Sequence, residues 1–341
     1  KGTIRNGSLL KPLKIIGNSQ DELNHMVENT RYNLMVYPSG RSFVLYNTRT
    51  KTQKFLRLSL IDAKISAFTI LNKPPNVLMV VAFESSDRCS CYFEVFQNFK
   101  TKTASVKIAD SFKDLKITDM AFSYDEKILF VVSTTREENI TIVNAFEIES
   151  EFSHMGSLEL KGLLRRVKTF EPTSKGIVGI VDDRLLLMKF KKSKNKVELS
   201  DMNKYFEALS THLSKIGSYL FDGRTGFNVF SESTNVVIYS KTTFHLAFKV
   251  DSSIRKEMDS SEIYVSAIGI LNSLLMIGLN NHSSILIYQF QTGNKIRIRN
   301  VIDIGNRGVF VRVHDISVAD DYSSIGISAK RYNSFDKEFI K

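Results

Sequence analysis

The 341-residue chain contains no tryptophan, five prolines and only two cysteines. Cys89 and Cys91 are two positions apart, and in a β-strand they would share one face with poor geometry for a disulfide. So few thiols argue against a disulfide-stabilised secreted scaffold and favour a reducing compartment. No apolar run reaches the roughly 18 residues that a membrane-spanning helix needs, and no secretory signal peptide is visible. We therefore expect no membrane insertion.

Sequence signatures of catalysis and metal binding are also missing. The six histidines are scattered, and no two of them have the spacing of a metal-binding pair. Cys89 and Cys91 have no second cysteine pair with which to complete a zinc site. Glycine-rich phosphate loops, a nucleophile elbow and a zinc-protease helix are absent as well. We predict no catalytic residue, no metal site and no cofactor.

The most regular feature of the sequence is a repeated apolar strand. The strand begins at six positions, separated by 52, 50, 49, 49 and 48 residues: Ile65, Ile117, Val167, Ile216, Val265 and Val313. Each start is followed by a turn, a second apolar run, another turn and a third run rich in aromatic or β-branched residues. A period of this length in an all-β pattern predicts the blades of a β-propeller.

The repeat predicts seven blades in a single ring. Residues 25–59 supply one blade ahead of the six repeats, and the seventh blade is incomplete at the C-terminus. Its missing outer strand would come from residues 10–16, so that strands from both chain ends close the ring and remove open sheet edges. Six blades is the alternative, if the C-terminal strands pair elsewhere. We predict one propeller domain over residues 1–341, and the start at Lys1 rather than Met leaves a larger parent chain open.

One segment departs from the strand pattern. Apolar residues with helical spacing follow Ser200 and Asp201, which are suitable N-cap residues. They are Met202, Tyr205, Phe206, Leu209 and Leu213. We predict an inserted helix over residues 201–215, between the fourth and fifth blades. Such a helix either packs on the ring or docks a partner through Tyr205, Phe206 and Leu209.

The chain carries a net charge of +11, which favours anionic partners. One basic cluster lies in the fourth repeat and comprises Arg165, Arg166, Lys168, Lys189, Lys191, Lys192, Lys194 and Lys196. A second cluster lies in the sixth repeat and comprises Lys295, Arg297 and Arg299. Both clusters are candidate interaction surfaces for RNA phosphates, with Phe190 as the aromatic candidate for base stacking. The alternative is that these side chains protect outer strands and hairpin tips against edge pairing.

Three stretches resemble turns of the WD40-repeat propellers. Residues 122–129, Phe-Ser-Tyr-Asp-Glu-Lys-Ile-Leu, resemble that family's first inter-strand turn. Residues 287–295 and 45–51 resemble the stretch after its third strand, with Tyr288 and Gln289 in place of Trp-Asp. The Gly-His and Trp-Asp pairs of the family are absent, so its internal hydrogen-bond tetrad does not carry over. The resemblance implies a diverged WD40-like ring, or an unrelated propeller with similar turns. In either case we expect a non-catalytic protein-interaction scaffold, because loops on both faces of a rigid ring can vary without disturbing the blades.

Residues 8–17, Ser-Leu-Leu-Lys-Pro-Leu-Lys-Ile-Ile-Gly, resemble the entry strand of tandem-propeller proteins of the small-subunit processome. This resemblance implies a subunit of a large nuclear or nucleolar ribonucleoprotein assembly that acts in ribosome biogenesis. Other protein subunits would be its partners, with RNA as a further partner, and its location would be nuclear or nucleolar rather than cytoplasmic. The alternative is a protein-only adaptor in a chromatin, ubiquitin-ligase or membrane-coat complex. A propeller enzyme is the third interpretation.

Overall fold

The computed structural model shows a chain built almost entirely of antiparallel β-strands. The residues that it describes are 27–29, 34–39, 42–57, 64–73, 76–84, 91–108, 115–135, 139–149, 152–169, 175–202, 205–206, 208–222, 225–250, 263–271, 274–280, 284–291, 295–303, 309–318 and 325–333. Within these residues, 26 strands form six four-stranded sheets and one two-stranded sheet. The all-β class predicted from the repeats is therefore confirmed.

Each four-stranded sheet is one continuous stretch of chain whose strands pair in sequence order. Sheets one to three comprise β1 Val27–Asn29, β2 Leu34–Ser39, β3 Ser42–Asn47, β4 Gln53–Arg57, β5 Lys64–Lys73, β6 Asn76–Glu84, β7 Cys91–Gln97, β8 Thr101–Ile108, β9 Leu115–Phe122, β10 Ile128–Thr135, β11 Ile140–Glu147 and β12 Ser153–Lys161. Sheets four to seven comprise β13 Arg165–Thr169, β14 Gly176–Val181, β15 Arg184–Lys191, β16 Lys196–Asp201, β17 Ser218–Asp222, β18 Phe227–Glu232, β19 Asn235–Ser240, β20 Thr243–Lys249, β21 Val265–Leu271, β22 Leu274–Leu279, β23 Ser284–Gln291, β24 Lys295–Asp303, β25 Val309–Val318 and β26 Ile325–Asn333.

The hydrophobic core lies between neighbouring sheets. Strand β10 is buried along its whole length, as is β14, because other sheets cover both faces of these middle strands. Phe93 of sheet two meets Phe146 of sheet three edge to face, with ring centroids 5.3 Å apart. Six apolar clusters of this kind fill the spaces between successive sheets, from the first to the seventh.

The first strand of each sheet contacts the first strand of the next. These contacts run from β1 through β5, β9, β13, β17 and β21 to β25, and β25 also contacts β1. Two of the contacts contain equivalent side-chain hydrogen bonds. The Ser218 hydroxyl donates to the Val265 carbonyl (3.1 Å), and the Ser266 hydroxyl donates to the Val313 carbonyl (2.7 Å).

Successive sheets point the same way. The amide of Ile216, just before β17, donates to the carbonyl of Asp183 in the β14–β15 turn (2.8 Å). The amide of Val265, at the start of β21, donates to the carbonyl of Ser233 in the β18–β19 turn (2.9 Å). Each sheet thus begins beside the turn that joins the second and third strands of the sheet before it.

This arrangement defines two sides of the molecule. The entry side holds the starts of the first strands and the turns between second and third strands. The hairpin side holds the turns between first and second strands and between third and fourth strands. In sheets one to three, the connections between sheets are short, at residues 58–63 and 109–114, so each new sheet again begins near the entry side of the sheet before it.

The turn that resembles the first WD40 turn is present between β9 and β10. The Ser123 hydroxyl donates to a carboxylate oxygen of Asp125 (2.6 Å) and accepts from the amide of Ile128 (3.0 Å). Glu126 has a φ of 58°, in the left-handed region, which tightens the turn. The turn predicted at this position is confirmed.

The helix predicted over residues 201–215 is wrong in extent. Strand β16 continues to Asp201, and among the described residues of the segment the α-helix is confined to the four residues of α1, Leu209–His212. Ala208 precedes α1 with a φ of 53°, which is incompatible with a continuous right-handed helix through this position.

The strand predicted at residues 10–16 to complete the seventh blade lies outside the described residues.

Candidate functional site

The clearest exposed charge cluster is a hairpin in sheet four. Strand β15 ends at Lys191, a 3-10 turn covers Lys192–Lys194, and β16 returns from Lys196. Five lysine side chains on this hairpin are exposed: Lys189, Lys191, Lys192, Lys194 and Lys196. Residues 189–196 are called the basic hairpin below. The structure therefore places these five predicted residues together.

One carboxylate partly neutralises the basic hairpin. Glu198 lies opposite Lys189 in the strand register, and its side chain is 30% exposed. Its oxygens are 2.8 Å from the ammonium of Lys194 and 3.2 Å from that of Lys191. The hydrogen bond from Lys194, followed by the contact with Lys191, lowers the pKa of the Glu198 carboxyl. Five lysines facing one carboxylate leave the hairpin strongly positive.

The base of the hairpin is held by packing. Phe190 alternates with Lys189 and Lys191 along the strand and points into the apolar cluster between sheets three and four, where it is 3% exposed. The expectation that Phe190 stacks on bases is therefore wrong, because its ring is part of the core. A Cβ atom on Gly156 of β12 would lie 2.5 Å from the Asn195 carbonyl oxygen, so the hairpin tip lies directly against sheet three.

The other basic residues of the fourth repeat lie on a different strand. Arg165, Arg166 and Lys168 are in β13, the first strand of the sheet. Strand β14 lies between β13 and β15. Two strand spacings amount to about 10 Å, so these positions are not neighbours of the basic hairpin within the sheet. Their side chains lie outside what the structure describes.

The second predicted cluster lies on β24, the outer strand of sheet six. Lys295 pairs with Gln291 and Arg297 with Gln289. Arg299 falls where the register skips one residue, at a bulge. The side chains of all three are outside the described set. Sheet five separates this strand from the basic hairpin, so the two clusters are distinct surfaces.

The proposed docking segment is largely part of the core. Phe206 packs edge to face on Phe230 with ring centroids 4.9 Å apart, and it is 3% exposed. Leu209 is 1% exposed, whereas Tyr205 is 38% exposed. Two of the three residues predicted to dock a partner are thus covered by sheets four and five. Apart from Tyr205, the apolar stripe packs on sheets four and five, in agreement with the packing interpretation of this segment.

The inter-sheet hydrogen bonds were not predicted. Ser266 directly follows Val265, the start of its repeat, and Ser66 occupies the same place in the second repeat, whereas Ser218 lies two residues after Ile216. In sheet three the contact takes another form, because Asp119 accepts from the amide of Val167 in sheet four (2.9 Å). A serine within two residues of these repeat starts was the signal that the sequence offered for these contacts.

In the part of the chain that the structure describes, no three His, Cys, Asp or Glu side chains are grouped so as to hold a metal ion. No helix among the described residues is long and apolar enough to cross a membrane.

No protein-family model matches the sequence, and no curated protein matches it either. The structure is similar to one chain in the crystal structure of the mitotic checkpoint complex. The TM-score is 0.62, and the match covers 94% of this chain and 92% of that chain at 8% sequence identity. At this identity the likeness shows the fold alone. Together with the succession of four-stranded sheets, the shared fold is consistent with the predicted β-propeller architecture.

Proposed function

We propose that this chain is a non-catalytic scaffold, a seven-bladed propeller on whose exposed turns other protein subunits assemble. The observation that carries this proposal is that exposed turns accept backbone hydrogen bonds from buried residues at the start of the next sheet. Asp183 is exposed at a turn, yet its carbonyl accepts the amide of Ile216. Ser233 is exposed in the same way, and its carbonyl accepts the amide of Val265. Turns held in this way present fixed shapes to partners and can vary in sequence without disturbing the sheets.

The contact between β25 and β1 supports a ring of seven sheets. In this ring, the two-stranded seventh sheet lies between sheets six and one. The strand at residues 10–16 would then pair with the seventh sheet and close the circle.

The assembly that we propose is a nuclear or nucleolar ribonucleoprotein in which the chain acts in ribosome biogenesis. Two features support this proposal: the likeness of residues 8–17 to processome propellers and the exposed positive charge of the basic hairpin. RNA would contact the basic hairpin, and the β13 and β24 clusters would add to the positive surface. The proposed location is nuclear or nucleolar.

A protein-only adaptor is the second candidate. Its support is that the similar chain belongs to the mitotic checkpoint complex. In that case the basic hairpin would contact acidic protein segments.

Purification of the tagged full-length protein from its own cells, with and without ribonuclease, tests both candidates. The scaffold proposal expects a reproducible set of proteins in both samples, and the ribonucleoprotein proposal expects pre-ribosomal RNA in the untreated one. Recovery of the same proteins without any RNA would support the protein-only adaptor and contradict the ribonucleoprotein proposal. Recovery of the chain alone would overturn the scaffold, and a fluorescent fusion confined to the cytoplasm would overturn the proposed location.

A further inference from the structure

The turns between third and fourth strands carry positive charge in several sheets. They all lie on the hairpin side, because the sheets share one orientation. Their exposed cations are Arg49 and Lys51 in sheet one, Lys100 in sheet two, Lys192 and Lys194 in sheet four, and Lys241 in sheet five. Glu149 is the exposed acid at the equivalent end of sheet three. The basic hairpin is thus one member of a wider positive surface.

The turns between second and third strands, on the entry side, differ in composition. Their described residues are Asn139, Asp182, Asp183, Ser233, Thr234 and Asn280, with no lysine or arginine among them. The nearest ammonium, on Lys215, lies 3.8 Å from a carboxylate oxygen of Asp183. Among the described residues, the turns between second and third strands are therefore acidic, whereas the turns between third and fourth strands are mostly basic.

We propose that the hairpin side binds the phosphodiester backbone of a single nucleic-acid strand that runs across several sheets. This inference extends the RNA part of the proposed function from one hairpin to a whole side of the protein.

The spacing of the charges favours a nucleic acid over an acidic peptide. Each turn offers one or two cations, and successive turns belong to different sheets. A partner that contacts several of these turns must therefore carry repeated negative charges across several sheets, as a chain of phosphates does. Peptide recognition depends instead on a few apolar side chains buried in pockets. Of the large exposed hydrophobic side chains among the described residues, Tyr124 is the one in a hairpin-side turn.

The residue types indicate contact with the backbone rather than reading of sequence. Five of the six cations are lysines, whose ammonium groups meet phosphates as point charges. Phosphate contacts position a nucleic acid without distinguishing its bases. Affinity should consequently depend strongly on salt and weakly on sequence.

The test measures the binding of fluorescent 30-nucleotide oligo(U) to the full chain by anisotropy over a range of salt. Six phosphate contacts predict a slope of log K against log salt near −4, or about a 100-fold loss of affinity between 50 and 150 mM. Oligo(dT) and a mixed RNA sequence should bind with similar affinity.

Two double variants examine separate turns: Lys192→Gln with Lys194→Gln, and Arg49→Gln with Lys51→Gln. Each should reduce the size of the slope by about 1.4, leaving about a 20-fold loss of affinity over the same salt range. The matched control, Arg184→Gln with Lys215→Gln, removes two positive charges from the entry side and should leave the slope unchanged. Circular dichroism and thermal unfolding verify that each variant is folded.

Several outcomes would overturn the proposal. An equal reduction of the salt slope in the control variant would mean that net charge alone attracts the oligonucleotide. An unchanged salt slope in the Arg49→Gln/Lys51→Gln variant would show that the turn in sheet one does not contact the nucleic-acid strand, contrary to binding across several sheets. Tighter binding of poly-glutamate than of oligo(U) would identify an acidic protein as the partner. The scaffold proposal is tested separately. If the chain fails to bind the oligonucleotides but keeps its co-purifying proteins, nucleic-acid binding by the hairpin side is refuted and the scaffold proposal stands.

Discussion

Replacement of Gly278 by alanine should loosen the contact between sheets six and seven. Gly278 lies in β22, and a Cβ atom added there would be 2.7 Å from Cβ and 2.8 Å from Cγ1 of Val313 in β25. Val313 is fully buried. Its Cβ atom is fixed to the backbone, so rotation of the side chain cannot relieve the overlap. The two sheets must separate until the atoms reach the 3.4 Å at which ordinary contacts begin.

Overpacking of this kind costs about 1–3 kcal/mol, and the better fit of alanine to a strand returns about 0.5–1 kcal/mol. We therefore expect Gly278→Ala to lower the free energy of unfolding by about 1–2 kcal/mol. Equilibrium urea unfolding should show a lower midpoint with an unchanged slope.

Gly217→Ala is the matched control. Its added Cβ would lie 3.6 Å from the Ser231 carbonyl oxygen, which is an ordinary contact distance. Its effect should stay within about 0.5 kcal/mol. A Gly278→Ala variant with the stability of the wild type would refute the close approach of sheets six and seven.

Two further predictions concern single contacts. Ser266→Ala removes the buried donor to the Val313 carbonyl and should lower the free energy of unfolding, measured with urea, by about 1 kcal/mol. Ser105→Ala, on the exposed face of β8, is the control and should lower it by less than half as much. Equal effects of the two substitutions would contradict a stabilising inter-sheet hydrogen bond. The lysine contacts lower the pKa of Glu198 in the folded state, so its stabilising contribution is present at neutral pH and is lost as the pH falls from the unfolded pKa through the folded one. The difference in urea midpoint between wild type and Glu198→Gln should consequently shrink on acidification, and a difference that grows would show that the sign is wrong.

The strands could be predicted because their signal is local. Continuous apolar runs identified the middle strands, and β10 and β14 are indeed buried along their whole length. The turn at Ser123 was recognisable because its hydrogen bonds join residues only two to five positions apart. Such features depend on neighbouring residues, which a sequence displays directly.

The segment after β16 shows where a periodic pattern misleads. Met202, Phe206, Leu209 and Leu213 have helical spacing, and all four are buried. Yet the described backbone between them is α-helical only in α1, and Ala208 interrupts a continuous helix. Irregular chain can also direct residues three or four positions apart into one groove. The pattern correctly identified the buried side chains, whereas the conformation depends on the surfaces of sheets four and five.

Phe190 was misjudged for a different reason. Its basic neighbours suggested an exposed aromatic, but the alternation of Lys189, Phe190 and Lys191 along a strand already placed the ring on the opposite face. The inter-sheet serine bonds were not predicted, because Ser266 and Val313 are 47 positions apart and the serines near the repeat starts do not by themselves identify an acceptor.

The contiguity of the sheets in the chain has a consequence for the kinetics of folding. Within each four-stranded sheet, every strand pairs with strands that are adjacent in sequence. Each sheet can therefore form one hairpin after another, and the entropic cost of closing each loop is small. The contact of β25 with β1 joins strands from the two extremes of the described chain. We expect formation of the β25–β1 contact to be the last and slowest step of folding. In a nascent chain, the sheets would therefore form before sheets one and seven meet.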